Sequence, residues 1–156
     1  MAMGNGSAID AESIDASVRV MQKQLDKGVH KVQYKHTQGG QFEQRNGRPR
    51  EARITVTPGI HQVGGYFDIQ WWENGDYKYH YREQGLEFRF GREESNQSTE
   101  MPVRHFHPPD DVTKHLPSCI GGGHPPERVT LAVIATWWAA VKAGDESVLN
   151  TQDGLP

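Results

Sequence analysis

Over residues 77–90 the chain alternates almost without interruption. Tyr77, Tyr79 and Tyr81 interleave with Lys78, His80 and Arg82, and after Gln84-Gly85 the residues Leu86, Phe88 and Phe90 interleave with Glu87 and Arg89. A period of two is that of a β-strand with one buried and one polar face. A two-residue turn at Gln84-Gly85 sets Tyr81 opposite Phe88, Tyr79 opposite Phe90 and His80 opposite Arg89. One face of this hairpin is aromatic core. The other carries Lys78, His80, Arg82, Glu87 and Arg89, and function is sought there.

The preceding strand, residues 66–72, fits this hairpin in one of two registers. A two-residue Asn74-Gly75 turn would send Phe67, Ile69 and Trp71 to the polar face. A three-residue loop, Glu73-Asn74-Gly75, pairs Trp71 with Tyr77, Ile69 with Tyr79 and Phe67 with Tyr81, and places Gly75 at the left-handed bulge position. The second register buries what should be buried and is the one expected; it leaves Trp72 on the polar face. Alternation also marks strands over 31–37 and 53–57, and a short edge strand over 103–107 that Pro108-Pro109 ends. Ile14, Val18, Met21 and Leu25 recur at helical spacing behind an acidic start, which predicts an amphipathic helix over 9–27. A second helix, opened by Pro125-Pro126-Glu127 and stopped at Gly144, is apolar nearly all round. The expectation is an α+β fold: an N-terminal amphipathic helix, a curved antiparallel sheet of about five strands, and a C-terminal apolar helix packed on the sheet. Residues 9–144 form its single domain, between a disordered N-terminus (1–8) and a flexible tail (145–156).

Composition narrows the classes of function. A chain of 156 residues with a net charge of −3 has no global attraction to nucleic acid, so any basic surface is local. Cys119 is the sole cysteine, which rules out an intramolecular disulfide and fits a reducing compartment. Residues 1–7 lack the basic start and apolar run of a signal peptide, and the longest apolar run, 131–141, is about half the roughly 20 residues that span a bilayer. A cytoplasmic protein with no membrane association is expected.

His105-Phe106-His107 places two imidazoles on one side of a strand. A metal site would need a further ligand such as Asp110, Asp111, His115 or His124, with His115 the one named for the metal alternative; without it they are a pair of exposed surface histidines, the reading preferred over a metal site. Joined to His80 and Arg89, they offer a metal-free site for phosphoryl transfer. Cleavage of RNA by its own 2′-hydroxyl needs a base, an acid and a cation on the phosphorane, and histidines and an arginine supply these. No cofactor is called for. Lys78, Arg82 and Arg104 are candidate phosphate contacts, and Trp72 is a candidate base-stacking residue. Against this stand a merely solvated sheet face, in which Glu87 pairs with Arg82 or Arg89, and a non-enzymatic module that self-associates through the apolar helix over 129–141. The run Gly121-Gly122-Gly123 before a helix could hold an anion, although Pro125 and Pro126 remove two donors.

The block Tyr79-His80-Tyr81, then Leu86-Glu87-Phe88-Arg89-Phe90, then His105-Phe106-His107-Pro108-Pro109 resembles the TumE-like toxins of toxin–antitoxin modules over about residues 66–141. Gly91 stands where family members often carry aspartate. The resemblance implies a growth-inhibiting action on RNA or translation, a site at His80, Arg89, His105 and His107, and a helix-turn-helix antitoxin as partner.

Overall fold

The computed structural model describes residues 7–98 and 100–152; the rest of the expected disordered N-terminus and tail, 1–6 and 153–156, lies outside the described residues. Helix α1 (Ala11–Leu25) is followed by β1 (Val29–Lys35), β2 (Glu51–Val56), β3 (Gly65–Trp71), β4 (Tyr77–Glu83), β5 (Leu86–Arg92), β6 (Arg104–His107) and β7 (Leu116–Pro117), and then by helix α2 (Pro126–Ala143). The strands form one antiparallel meander in sequence order. The fold is α+β, as expected, but the sheet has seven strands rather than about five. Two residues containing a proline have no periodicity to read, so β7 was invisible, and its pairing with Phe106 and His105 moves β6 inward from the sheet edge.

The two inner hairpins have the expected registers. Tyr81 faces Phe88, Tyr79 faces Phe90 and His80 faces Arg89; Trp71 faces Tyr77, Ile69 faces Tyr79 and Phe67 faces Tyr81. Gly75 takes a φ of 92°, a conformation that side-chain-bearing residues rarely adopt. Parity then sends every aromatic side chain of β3–β5, Tyr66 apart, to the side covered by the helices. Trp137 of α2 meets Phe67 edge-on at 5.6 Å and lies 6.0 Å from Tyr81, and such aromatic pairs add about 0.5–1.5 kcal/mol beyond area burial.

Asp10 caps α1, its carboxylate accepting from the Ser13 amide, and Ile14, Val18 and Met21 form the buried stripe. Pro126 opens α2, and Gly144 closes it in the left-handed conformation. The core is pinned by one polar cluster. The Tyr79 hydroxyl, fully buried, lies 2.9 Å from Ser17 Oγ on α1 and 2.5 Å from Thr130 Oγ1 on α2, and accepts from Trp71 Nε1 at 3.0 Å. Both helices are thereby tied to the centre of the sheet.

Two expectations are corrected. Trp72 is not a free aromatic on the polar face: it is buried, and its backbone bridges Ile9 in front of α1, because the N-terminal segment runs beside the end of β3. The described part of the C-terminal segment, 145–152, docks rather than hangs. Leu149 enters the core, and Asn150 accepts from the Cys119 amide and donates to the Pro117 carbonyl. A single buried leucine in a polar stretch gives no periodic signal.

Candidate active site

The strand registers lay one row of side chains across the face opposite the helices: Arg53, Asp68, His80, Arg89 and His107, on β2 to β6 in turn. Arg53 is neutralised. Its guanidinium makes two bonds to the Asp68 carboxylate, at 2.8 and 2.9 Å, and sits between the rings of Phe42 and Tyr66. This pair closes one end of the row.

Arg89 differs. It is half-buried, its Nε is buried without a hydrogen-bond partner, and it forms no ion pair among the described residues. Its one hydrogen-bonding contact among them is from Nη2 to His107 Nε2 at 3.5 Å. Burial lowers the pKa of this guanidinium. A half-buried cation without a counter-ion is unusual in a structural role, because the desolvation cost is not offset.

His107 is built to face it. Its Nδ1–H donates to the Val112 carbonyl at 2.8 Å, which fixes the tautomer and leaves the Nε2 lone pair toward Arg89. Burial, with Arg89, His105 and His115 nearby, pushes the His107 pKa down to about 3. The ring is therefore neutral at physiological pH. His105, opposite Gly91 and alternating with Arg104 and Phe106, shares its Nδ1–H between the carbonyls of Pro102 and Val103 at 3.2 and 3.3 Å. Burial lowers its pKa too. His115 completes a triangle of rings, with centroids 4.4 Å from His107 and 5.3 Å from His105. Although the three imidazoles gather as the metal alternative required, no group of three His, Cys, Asp or Glu among the described residues has an arrangement that could hold a metal ion.

On the other side of Arg89, His80 Nε2 lies 2.7 Å from Glu87 Oε2, and Arg82 Nε lies 3.2 Å from the same oxygen. The hydrogen bond from His80 lowers the Glu87 pKa, and burial lowers that of His80. Together these describe a carboxylate accepting from a neutral imidazole. The His80 Nε2–H is then spent on Glu87, so the 3.3 Å approach of Arg82 Nε to that nitrogen is proximity, and Arg82 donates to Glu87. The Nδ1 of His80 keeps the lone pair. Beside this group opens a groove of about 800 Å³ lined by Tyr66, Arg82, Glu87, Asp111 and Val112 among others. Lys78, across from Gly91, is half-buried, has its pKa lowered by burial and forms no ion pair among the described residues.

The fold thus brings His80, Arg89, His105, His107, Lys78 and Arg82 to one face. It does not bring Arg104, which lies in register with Tyr77 and Arg92 on the helix side of the sheet. Sequence reasoning missed Glu87 as the partner of His80, although a diagonal neighbour across a tight hairpin is readable in principle. It had no means of finding the Val112 carbonyl that orients His107.

The chain matches the family model described as Toxin TumE over residues 21–143, which takes in the whole polar row. No curated protein and no solved structure matches it. With that span covering most of its length, and with the hairpin and histidine blocks inside it, the chain belongs to the TumE toxin family.

Proposed function

We propose that this toxin acts on RNA by metal-independent phosphoryl transfer on the polar sheet face. The observation that carries the reading is Arg89: a half-buried guanidinium, unpaired among the described residues, held between His80 and a His107 whose lone pair faces it. A phosphate group is the counter-ion such a cation fits. His80, oriented by Glu87, takes the proton of the 2′-hydroxyl. The 2′-oxygen attacks phosphorus while Arg89 stabilises the charge that grows there. His107 positions Arg89, and His105 supports His107 from behind, their rings 4.9 Å apart and edge to face. A ring with a pKa near 3 donates no proton at neutral pH, which leaves Lys78, made more acidic by burial, to protonate the departing 5′-oxygen. Arg82 steers RNA phosphates along the groove.

Membership of a toxin family points to an antitoxin partner. We take it to be of the helix-turn-helix type and both proteins to be cytoplasmic; no helix among the described residues is long and apolar enough to cross a membrane.

The test is tightly induced expression in a bacterial host, following growth and total RNA. The wild type is expected to stop growth with loss of RNA. Arg89→Ala and Glu87→Gln are expected to do neither, while circular dichroism shows that both remain folded. His105→Ala/His107→Ala should also be inactive. An Arg89→Ala variant that still degrades RNA would sink the proposal.

A second reading, a non-enzymatic module that self-associates through residues 129–141, is favoured by one observation. Leu131 and Trp138 of α2 are exposed beside a groove of about 610 Å³ that Leu25 and Ile134 also line. It predicts a concentration-dependent oligomer in sedimentation, and behaviour indifferent to changes at Arg89.

A further inference from the structure

On the helix side of the sheet, at the end away from the β4–β5 turn, the row Tyr77, Arg92 and Arg104 meets the glycine run that precedes α2. Three features converge on a cavity of about 260 Å³ there. Tyr77 lines it, is only 3% exposed, and its hydroxyl has no hydrogen-bond partner among the described residues. A buried phenol without a partner forgoes its hydrogen bond to water and gains nothing in return.

Arg104 also lines the cavity and forms no ion pair among the described residues. Its guanidinium packs so closely on Gly122 that a Cβ there would stand 2.7 Å from the nearest guanidinium atoms. Among the described residues, the amides of Gly122 and Gly123 donate to no acceptor. Arg92 is the second cation of the site. One of its nitrogens, Nη1, is used by Asp76 at 2.8 Å and by the Asn74 carbonyl at 3.3 Å. Asp76 is in turn satisfied by the Glu94 amide and Asn74, so its charge is committed. His124 stands at the rim.

We propose that this cavity, where the partnerless Tyr77 hydroxyl, the unpaired Arg104 guanidinium and the free amides of Gly122 and Gly123 come together, is a binding site for a phosphate group. Its volume falls below the roughly 300–1,000 Å³ of pockets for drug-sized ligands, so it suits a small oxyanion and not a whole nucleotide. Phenol, fork-shaped guanidinium and backbone amides are all donors, as an oxyanion requires. The site lies on the opposite face of the sheet from Arg89, so one phosphate cannot serve both. It stands on observations independent of the proposed cleavage chemistry.

The experiment is thermal melting of the full chain with inorganic phosphate against chloride at matched ionic strength, for wild type, Arg104→Gln, Tyr77→Phe and Arg89→Met. Phosphate should raise the wild-type Tm, and a rise should persist in Arg89→Met, which removes only the cation proposed to meet the RNA phosphate on the other face. Arg104→Gln should weaken phosphate binding by roughly tenfold or more, the worth of one charge-assisted hydrogen bond, and Tyr77→Phe should weaken it measurably. Without phosphate, Tyr77→Phe should melt no lower than wild type, because the hydroxyl it removes has no partner. Amide resonances of Gly122 and Gly123 should move on titration of Arg89→Met. A short RNA with and without a 5′-phosphate then separates the sources: a larger rise with the phosphorylated strand assigns the site to an RNA end, and no gain over inorganic phosphate assigns it to the free ion. The proposal is overturned if phosphate gives no rise, if either Arg104→Gln or Tyr77→Phe retains the full rise, or if Arg89→Met abolishes it. That last result would instead place phosphate on the histidine row.

Discussion

Arg89 and His107 show how a side chain can be costly to the fold and useful to a site. Arg89 forms no ion pair among the described residues, so replacing it with an apolar residue of similar length removes a desolvation penalty. Arg89→Met is expected to raise stability by about 1 kcal/mol while abolishing toxicity, measured by urea unfolding beside the growth assay. His107 gives a pH signature. Its folded pKa is about 3 against an ordinary value of 6.5, so below 6.5 the unfolded chain binds a proton that the native ring refuses. The stability this ring contributes is complete above 6.5 and is lost as pH falls toward 3, at up to about 1.4 kcal/mol per pH unit. Urea unfolding between pH 7.5 and 5 should show that slope, steepened by His105 and His80, which are shifted in the same direction. In His107→Gln it should flatten by about one proton, and an unchanged slope would exclude His107 as its source. That His105 and His107 point the same way was legible from their spacing. That they are buried was not, because what buries them comes from loops without periodicity.

The β3–β4 turn decides which side chains reach the site. A loop of two residues instead of three would turn β3 over and place Asp68 on the core side, which is why Gly75, at φ 92°, carries weight out of proportion to its size. Gly75→Ala is expected to cost about 1 kcal/mol or more, read as a lowered midpoint in urea with an unchanged m-value. The inner hairpins were readable because period and turn chemistry agree there. The outer elements were harder: β6, four residues, was expected only as a short edge strand, and β7, two residues, is too short to show a period. The alternation that put His105 and His107 on the polar face also puts Arg104 on the other, a consequence available from the sequence once the strand is accepted.

Taken whole, the molecule depends on a few contacts between segments far apart in the chain. Tyr79 joins α1, β3, β4 and α2 through Ser17, Trp71 and Thr130. Tyr79→Phe takes the hydroxyl from Thr130 Oγ1, while Trp71 Nε1 still donates to Ser17 Oγ and Ser17 to the Ser13 carbonyl, and is expected to lower stability by about 1–3 kcal/mol, measured by chemical denaturation. Leu149→Ala should cost roughly 2–5 kcal/mol, whereas a loose tail would tolerate it. By itself the sequence determined the class of the fold, the two helices, the inner hairpin registers and the face on which His80 and Arg89 lie. These follow from local periodicity and turn geometry, which are written along the chain. Only the tertiary structure decided that His105 and His107 join that face, that Arg89 forms no ion pair among the described residues, that Glu87 and the Val112 carbonyl set the tautomers on either side of it, and that Arg104 and Tyr77 share a cavity with the glycine run. Those are facts of burial and of distance between segments remote in sequence, and no local pattern encodes them.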